Sequence, residues 1–355
     1  MKKVGIITLF DLNNYGNRLQ NYATSIVYKK LGLEPLTIRI VRDSKFTPCK
    51  EWVKYIIGSI RKNRYAKFYK FSKKKIKYIN MFSKSEVFPL NIEKKFDYFS
   101  TGSDQVWNSA YLGDCREIIL KERLLAFTNP SKRLTMAPSF SLDDIPLIDK
   151  DLFRSELSKY NYIGVREKQG AEIVENLIGK TPTIMLDPTL LLSKEEWSEI
   201  SVDSSFENKY VLTNFIVEPS ILASDIIKSI ECQKELKSIN LYDLNSKYHS
   251  AGPSEFISLI KNSSCVCTDS FHTMVFAIIF EKPFIVFDRS DKKVSNDSRF
   301  STLLENLKLA NHMCHNKESF DLDSIFITNF KDTTDLLNNE RKKTIDFLLK
   351  MISSK

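Results

Sequence analysis

The stretch CVCTDSFHTMVFAIIFEKPFIVF, Cys265 to Phe287, concentrates groups suited to chemistry. It holds His272, one of four histidines in 355 residues. An imidazole titrates near pH ~6.5, so at neutral pH it serves as general acid or general base. Two thiols, Cys265 and Cys267, precede it at a spacing that puts both on one face of a strand. His272 is thus a catalytic group, a metal ligand beside the thiols, or a core side chain. A zinc site needs about four ligands at tight spacing, and only His272 is near the pair. The six cysteines contain no CxxC. Two buried, reduced thiols and no metal site are the expectation.

These residues need a scaffold that brings them to one edge. Val4–Leu9 reads as a buried strand, followed by the polar FDLNNYGN. RLQNYATSIVYKKLG has helical spacing, with Leu19, Tyr22, Ala23, Ile26, Val27 and Leu31 on one face and Gly32 as its stop. Pro35–Ile40 reads as the next strand. This βαβ opening predicts a parallel sheet. Tyr162–Val165 is a predicted strand and Gln169–Ile178 a predicted helix. From YVLTNFIV to FIVFDR the second half alternates strand and helix again. The expected fold class is α/β, with two Rossmann-like domains facing a cleft. Residues 1–187 form the first and 188–330 the second, with a C-terminal amphipathic helix over 331–355. FDLNNYGN, TGSDQVWN, APSF, GVRE and TDSFH each follow a predicted strand, which is the ligand edge of such sheets.

Bulk composition agrees with packed globular structure. Hydrophobic residues make up 42% and charged residues 27%, which excludes a disordered, collagenous or disulfide-scaffold chain. MKKVGIITLFDLNN superficially looks like a signal peptide, but no small-residue cleavage site follows, so it reads as a first strand. No apolar run reaches the ~20 residues of a membrane-spanning helix. A cytoplasmic location is expected. The net charge of +9 is uneven, because a basic, aromatic-rich helical segment covers residues 42–84. Such a segment suits the anionic inner face of a membrane, an acidic lipid-linked substrate, or plain solvation as a helical face. No zinc finger, RRM or helix-turn-helix accompanies it, so no nucleic acid is expected. The absence of a P-loop and of GxGxxG argues against a nucleotide cofactor. No feature sets an oligomeric state.

Taken in order, NNYGNRLQNYA, STGSDQVWN, APSF, GVREKQGAEIV, LDPTLLL, the segment from GPSEFISLI to EKPFIV, and NDSRF form a pattern. In that order the chain resembles the polysaccharide pyruvyl transferase family. The resemblance implies a glycosyltransferase-B-like pair of domains, the first on the acceptor side and the second on the donor side. It implies transfer of an enolpyruvyl-derived group from phosphoenolpyruvate to a sugar of a cell-surface polysaccharide precursor, closing a ketal. Phosphoenolpyruvate would be a co-substrate, with no further cofactor. The acceptor would be a glycan, free or lipid-linked. One position departs: well-studied members resemble one another in a donor-binding arginine two residues before the histidine, where this chain has Ser270. Arg166, Arg289 and Arg299 are candidates for the missing charge. A nucleotide-sugar glycosyltransferase and a non-catalytic glycan- or lipid-carrier-binding subunit stand as alternatives.

The implied chemistry assigns roles. Protonating the methylene carbon and activating the sugar hydroxyl fall to His272, with Asp269 and Asp104 as bases or hydroxyl-orienting carboxylates. Phosphate and carboxylate need cations and helix N-termini, so Thr268, Ser270, Arg166, Arg289 and Arg299 are the donor-binding candidates. Asn14, Gly16, Asn17, Gln20, Ser103 and Asn108 suit the acceptor sugar. Trp107 either stacks on that sugar or is buried.

Overall fold

The computed structural model describes residues 1–42, 47–82, 92–202, 209–290, 297–318 and 320–354. Residues 43–46 and 83–84 of the basic stretch, and Asn296 of NDSRF, lie outside the described residues. The chain divides into two compact units. The first comprises Met1–Ile57, Tyr69–Leu191 and Asn339–Lys355; the second comprises Gly58–Phe68 and Leu192–Asn338. The expected boundary at Asp187-Pro188 lies four residues from the division at Leu191. Part of the basic stretch groups with the second unit, and the C-terminal helix ends in the first.

The first unit opens as expected, with β1 (Lys3–Ile7), α1 (Tyr15–Lys30) and β2 (Glu34–Val41). Asn14 caps α1 by accepting the backbone N–H of Asn17 at 3.1 Å. Gly32, at φ +78°, takes the left-handed conformation that ends it. The basic stretch forms α2 (Thr47–Ile60), α3 (Arg64–Lys75) and β3 (Tyr78–Phe82). The strand is one element the sequence reading lacks. It is a half-buried edge strand of five residues, YINMF, that follows directly on the lysine-rich end of α3 and Lys77. The order continues with β4 (Tyr98–Thr101), α4 (Arg116–Arg123), β5 (Arg133–Thr135), α5 (Leu147–Leu157), β6 (Gly164–Val165), α6 (Lys168–Ile178) and β7 (Thr183–Ile184). The main sheet is parallel with order β3-β2-β1-β4-β5. Strand order reverses between β1 and β4, which is where such sheets bind ligands.

The second unit contains α7 (Lys194–Ser198), β8 (Tyr210–Asn214), α8 (Ile221–Gln233), β9 (Lys237–Asn240), α9 (Pro253–Asn262), β10 (Cys265–Thr268), α10 (Phe271–Ile279), β11 (Phe284–Phe287), α11 (Asp297–Asn306), β12 (Met313–Cys314) and α12 (Leu322–Phe326). The long α13 (Phe330–Ser353) begins there and ends in the first unit. This sheet is also parallel, with order β12-β11-β10-β8-β9, and reverses between β8 and β10. Both units are therefore Rossmann-like. Cys265 and Cys267 are buried in an apolar cluster with Val211, Ile226, Ile285 and Phe287. They are core residues, and their mutual contact, with burial, pushes the Cys267 thiol up.

One buried histidine belongs to this core. His312 lies 2.8 Å from the Phe284 carbonyl through Nδ1 and 3.0 Å from Thr328 Oγ1 through Nε2. Its ring stacks on Phe284 at 4.2 Å. Burial pushes the imidazole down to about 4, against the opposing bond to Phe284. The folded protein thus binds this proton less readily than the unfolded chain, whose histidine titrates near pH ~6.5. His312 contributes fully above that value, and its contribution is lost as pH falls toward about 4. In urea unfolding, His312→Gln should lie below the native protein at pH ~7. Its deficit should shrink by about 2–3 kcal/mol on going to pH ~4.

Candidate active site

At the carboxyl ends of β4 and β5 in the main sheet, and of β6 and β7, which pair as a separate two-stranded sheet, four polar turns knit into one buried network. The turn after β4 carries Ser103 and Asp104, and that after β5 carries Ala137 to Ser139. The turn after β6 carries Arg166 and Glu167, and Asp187 follows β7. Asp104 (φ +69°) and Ala137 (φ +49°) hold left-handed conformations. Such strain persists only where surrounding bonds fix it. Here Ser139 N–H donates to the Asp104 carbonyl at 2.9 Å, and Trp107 N–H to the Ser139 carbonyl at 3.2 Å.

Arg166 is the hub. Its guanidinium donates to Asp187 at 2.8 Å and lies 3.7 Å from Asp104 and 3.8 Å from Glu167. Burial alone would push the guanidinium down, but Asp187, Asp104 and Glu167 more than offset it and hold it above its ordinary value. The surplus negative charge is spread over hydrogen bonds. Ser103 Oγ donates to Asp187 at 2.9 Å, and Ser139 Oγ and Phe140 N–H donate to Glu167 at 3.0 and 2.9 Å. Asn17, in the first turn of α1, donates to Asp104 at 2.5 Å. Asp104 is the most exposed of the three carboxylates, and thus the one a ligand can reach.

Asn17 also lines a cavity of about 460 Å³ at the carboxyl ends of β1 and β2, with Thr8, Arg39, Arg42, Glu122 and Arg123. Glu122 is buried and paired with Arg42. Burial pushes its carboxyl up, against the pull of Arg42. Among the described residues its Oε1 has no hydrogen-bond partner. Beneath the loop, the fully buried Arg18 donates to the Leu9 carbonyl at 2.6 Å and lies 4.0 Å over the Phe10 ring. It pins the β1–α1 turn from inside.

In the second unit the histidine stands where strand order reverses. β10 ends at Thr268, whose Oγ1 donates to the Asn214 carbonyl at 2.6 Å and accepts Ser270 N–H at 2.9 Å. Asp269 is buried, and its carboxylate accepts the N–H groups of Ile216 at 2.6 Å and Val217 at 3.3 Å. Burial pushes this carboxyl up, while those amides and the Arg289 charge draw it down. Ser270 precedes α10 without making a side-chain cap. The N-terminus of such a helix carries the positive end of its dipole, to which an anion is suited. His272 is the second residue of α10 and is 8% exposed. Its ring meets Phe271 edge-on at 5.5 Å, and the Arg299 guanidinium lies 5.9 Å from the Phe271 ring.

The sequence matches the polysaccharide pyruvyl transferase family over residues 14–291. The chain belongs to that family. Its members are transferases, so this is an enzyme of transferase type. No protein of curated function matches the chain in sequence. Among solved structures it is similar to HepE from Anabaena in complex with UDP and glucose. That pair has 10% identity, 100% of this chain and 98% of that one covered, and a TM-score of 0.49. It is also similar to UDP-GlcNAc 2-epimerase from Neisseria meningitidis bound to UDP-GlcNAc, at 11% identity, 99% and 100% coverage and TM-score 0.49. The Methanocaldococcus jannaschii UDP-GlcNAc 2-epimerase gives 12% identity, 99% and 100% coverage and TM-score 0.46.

Several site residues of this transferase differ from their sequence reading. Arg166, expected to bind the donor, is enclosed by three carboxylates in the first unit, so it has no surplus charge to offer a phosphate. Asn108 donates to the Ser141 carbonyl at 3.4 Å and accepts Ala110 N–H at 2.9 Å, which commits both ends of its amide locally. Asn14 is spent on its cap. Gly16 is buried in the first turn of α1. Gln20 donates to Thr8 Oγ1 at 2.8 Å and braces the turn above β1. Trp107 is buried against Phe140. Asn17, Ser103 and Asp104 do converge. Thr268, Asp269, Ser270, His272, Arg289 and Arg299 gather around the start of α10 in the second unit. Asp187 and Glu122 were missed. The signal for Asp187 was present in LDPTLLL, an acid placed directly after a strand and before a proline. Glu122 gave none, since it is one acid among the charged residues of a short helix. Among the described residues no group of three or more His, Cys, Asp or Glu is arranged to hold a metal ion.

Proposed function

We propose that this chain transfers the pyruvyl group of phosphoenolpyruvate to two hydroxyls of one sugar in a polysaccharide precursor. One observation supports the reading above the others. His272 stands in the first turn of α10, directly beyond β10 at the reversal of strand order, in a family of pyruvyl transferases. The methylene carbon takes a proton, and the first hydroxyl adds at the adjacent carbon and gives up its own. The carbon–oxygen bond to phosphate then breaks. The second hydroxyl adds, and its proton leaves with inorganic phosphate. The ketal keeps the carboxylate. His272 supplies the proton for the methylene carbon. The amides at the start of α10, with Arg289 and Arg299, receive phosphate and carboxylate in place of the family's arginine. Asp269 acts as a positioning residue that holds the turn after β8.

On the acceptor side, Asp104 and Asn17 orient a sugar hydroxyl, and the cavity beside them receives the ring. Glu122 Oε1 offers that ring an acceptor oxygen. Calorimetric titration with phosphoenolpyruvate, with a uridine-diphosphate sugar for comparison, tests the donor. Phosphoenolpyruvate should bind alone, and Arg289→Ala should weaken it by about tenfold or more, as for loss of a charged hydrogen bond. Binding of the nucleotide sugar instead would make this chain a glycosyltransferase.

A further inference from the structure

α2 carries an apolar stripe on its solvent side. Trp52, Val53, Ile56, Ile57 and Ile60 fall on one helical face, and all five are exposed, Trp52 by 57% and Ile60 by 79%. Five large apolar side chains together on one short helix are not the scattered exposure ordinary to surfaces. The opposite side of the helix is anchored. Glu51 receives both nitrogens of the Arg39 fork at 2.6 and 2.5 Å, and Tyr55 stacks on Tyr69 at 4.9 Å. The helix therefore cannot roll to bury its stripe without breaking both contacts.

Charge says what covers the stripe. At helical spacing Lys50, Lys54 and Arg61 run along one margin, and all three are exposed. Glu51, the helix's one acid, is on the anchored side and already paired. The next helix, α3, adds exposed Lys70, Lys73 and Lys74. A tryptophan-bearing apolar face with a basic margin and no opposing acid matches a helix lying in the plane of an anionic bilayer. No helix among the described residues is long and apolar enough to cross a membrane. We infer that α2 seats this transferase on an anionic lipid surface, with Trp52, Val53, Ile56, Ile57 and Ile60 in the headgroup–acyl boundary and the lysines against the headgroups. This goes beyond the transfer reaction and does not rest on it.

Trp52 supplies the readout. Of three tryptophans, Trp107 and Trp197 are fully buried, so a lipid-induced change in emission reports Trp52. The full chain is mixed with vesicles of phosphatidylcholine alone or with phosphatidylglycerol, without substrate. Sedimentation and a blue shift are expected with phosphatidylglycerol, weakening as salt is raised. Val53→Glu with Ile57→Glu should reduce partitioning about tenfold or more, and Lys54→Glu about fivefold or more. The milder Ile60→Ser, at the most exposed position, should also reduce it and keeps the test readable if the double variant misfolds. Absence of binding to the anionic vesicles would overturn the inference, as would equal binding by all variants. A blue shift that grows with protein concentration without lipid, and is abolished by Val53→Glu with Ile57→Glu, would overturn it in favour of a second copy of this chain.

Discussion

His272→Ala is expected to lower turnover of phosphoenolpyruvate by about 10²–10⁴-fold, the usual weight of a positioned general acid or base. The fold should survive. His272 opens α10, alanine is the best helix former, and the remaining turns of the helix are apolar and buried. Phosphoenolpyruvate should still bind, since the amides of the first turn and the two arginines remain. The loss should therefore fall on kcat more than on KM. The residual rate should also lose one limb of the pH profile. A folded variant turning over at the native rate would make the histidine structural. Asp269→Asn provides the contrast. An asparagine oxygen can still accept Ile216 N–H, but the second oxygen, which takes Val217 N–H, is gone. Its effect should appear as a loosened turn after β8 and a raised KM, with the pH profile keeping its shape.

What was legible in the sequence follows from which forces act locally. The βαβ opening, the glycine that stops α1 and the strand into TDSFH are set by periodicity and turn chemistry within a dozen residues. They appear in the structure within a few positions. The placement of polar turns beyond strands was legible for the same reason. Which of those side chains would be consumed by the fold was not. Asn14 and Asn17 are equally polar and three residues apart. One caps a helix, and the other reaches across 87 residues to Asp104. Arg166 looked like a phosphate ligand because its three carboxylates come from residues 104, 167 and 187, separated in sequence and joined by the sheet edge. β3 was hidden because its five residues, YINMF, follow directly on a lysine-rich helix and read as its continuation. The apolar stripe of α2 was hidden because the same lysines dominate the segment when it is read as a string, and only the helix separates the two faces.

The buried carboxylate cage carries the largest expected effect on stability. Arg166→Met keeps the volume and removes the cation that Asp104, Glu167 and Asp187 share. Breaking a buried pair from one side leaves uncompensated charge and costs about 3–5 kcal/mol. Here three carboxylates are left facing one another, among neutral donors from Ser103, Asn17, Ser139, Thr189 and the backbone. The sign of the pH dependence follows. A carboxylate without its counter-charge, beside like charges, favours the protonated form. The folded variant therefore binds protons more readily than the unfolded chain, and its deficit should be greatest at neutral pH and narrow as pH falls toward ~5. Urea unfolding of the native protein and the variant across that range measures it. Arg166→Lys should lie between them, because it restores charge without the planar fork that reaches several carboxylates at once. A constant gap at every pH would mean that packing, and not the charge, is what Arg166 supplies. If the gap closes on acidification, the charge of Arg166 is what holds Asp104 aimed beside Asn17, and the acceptor site proposed above depends on it for geometry.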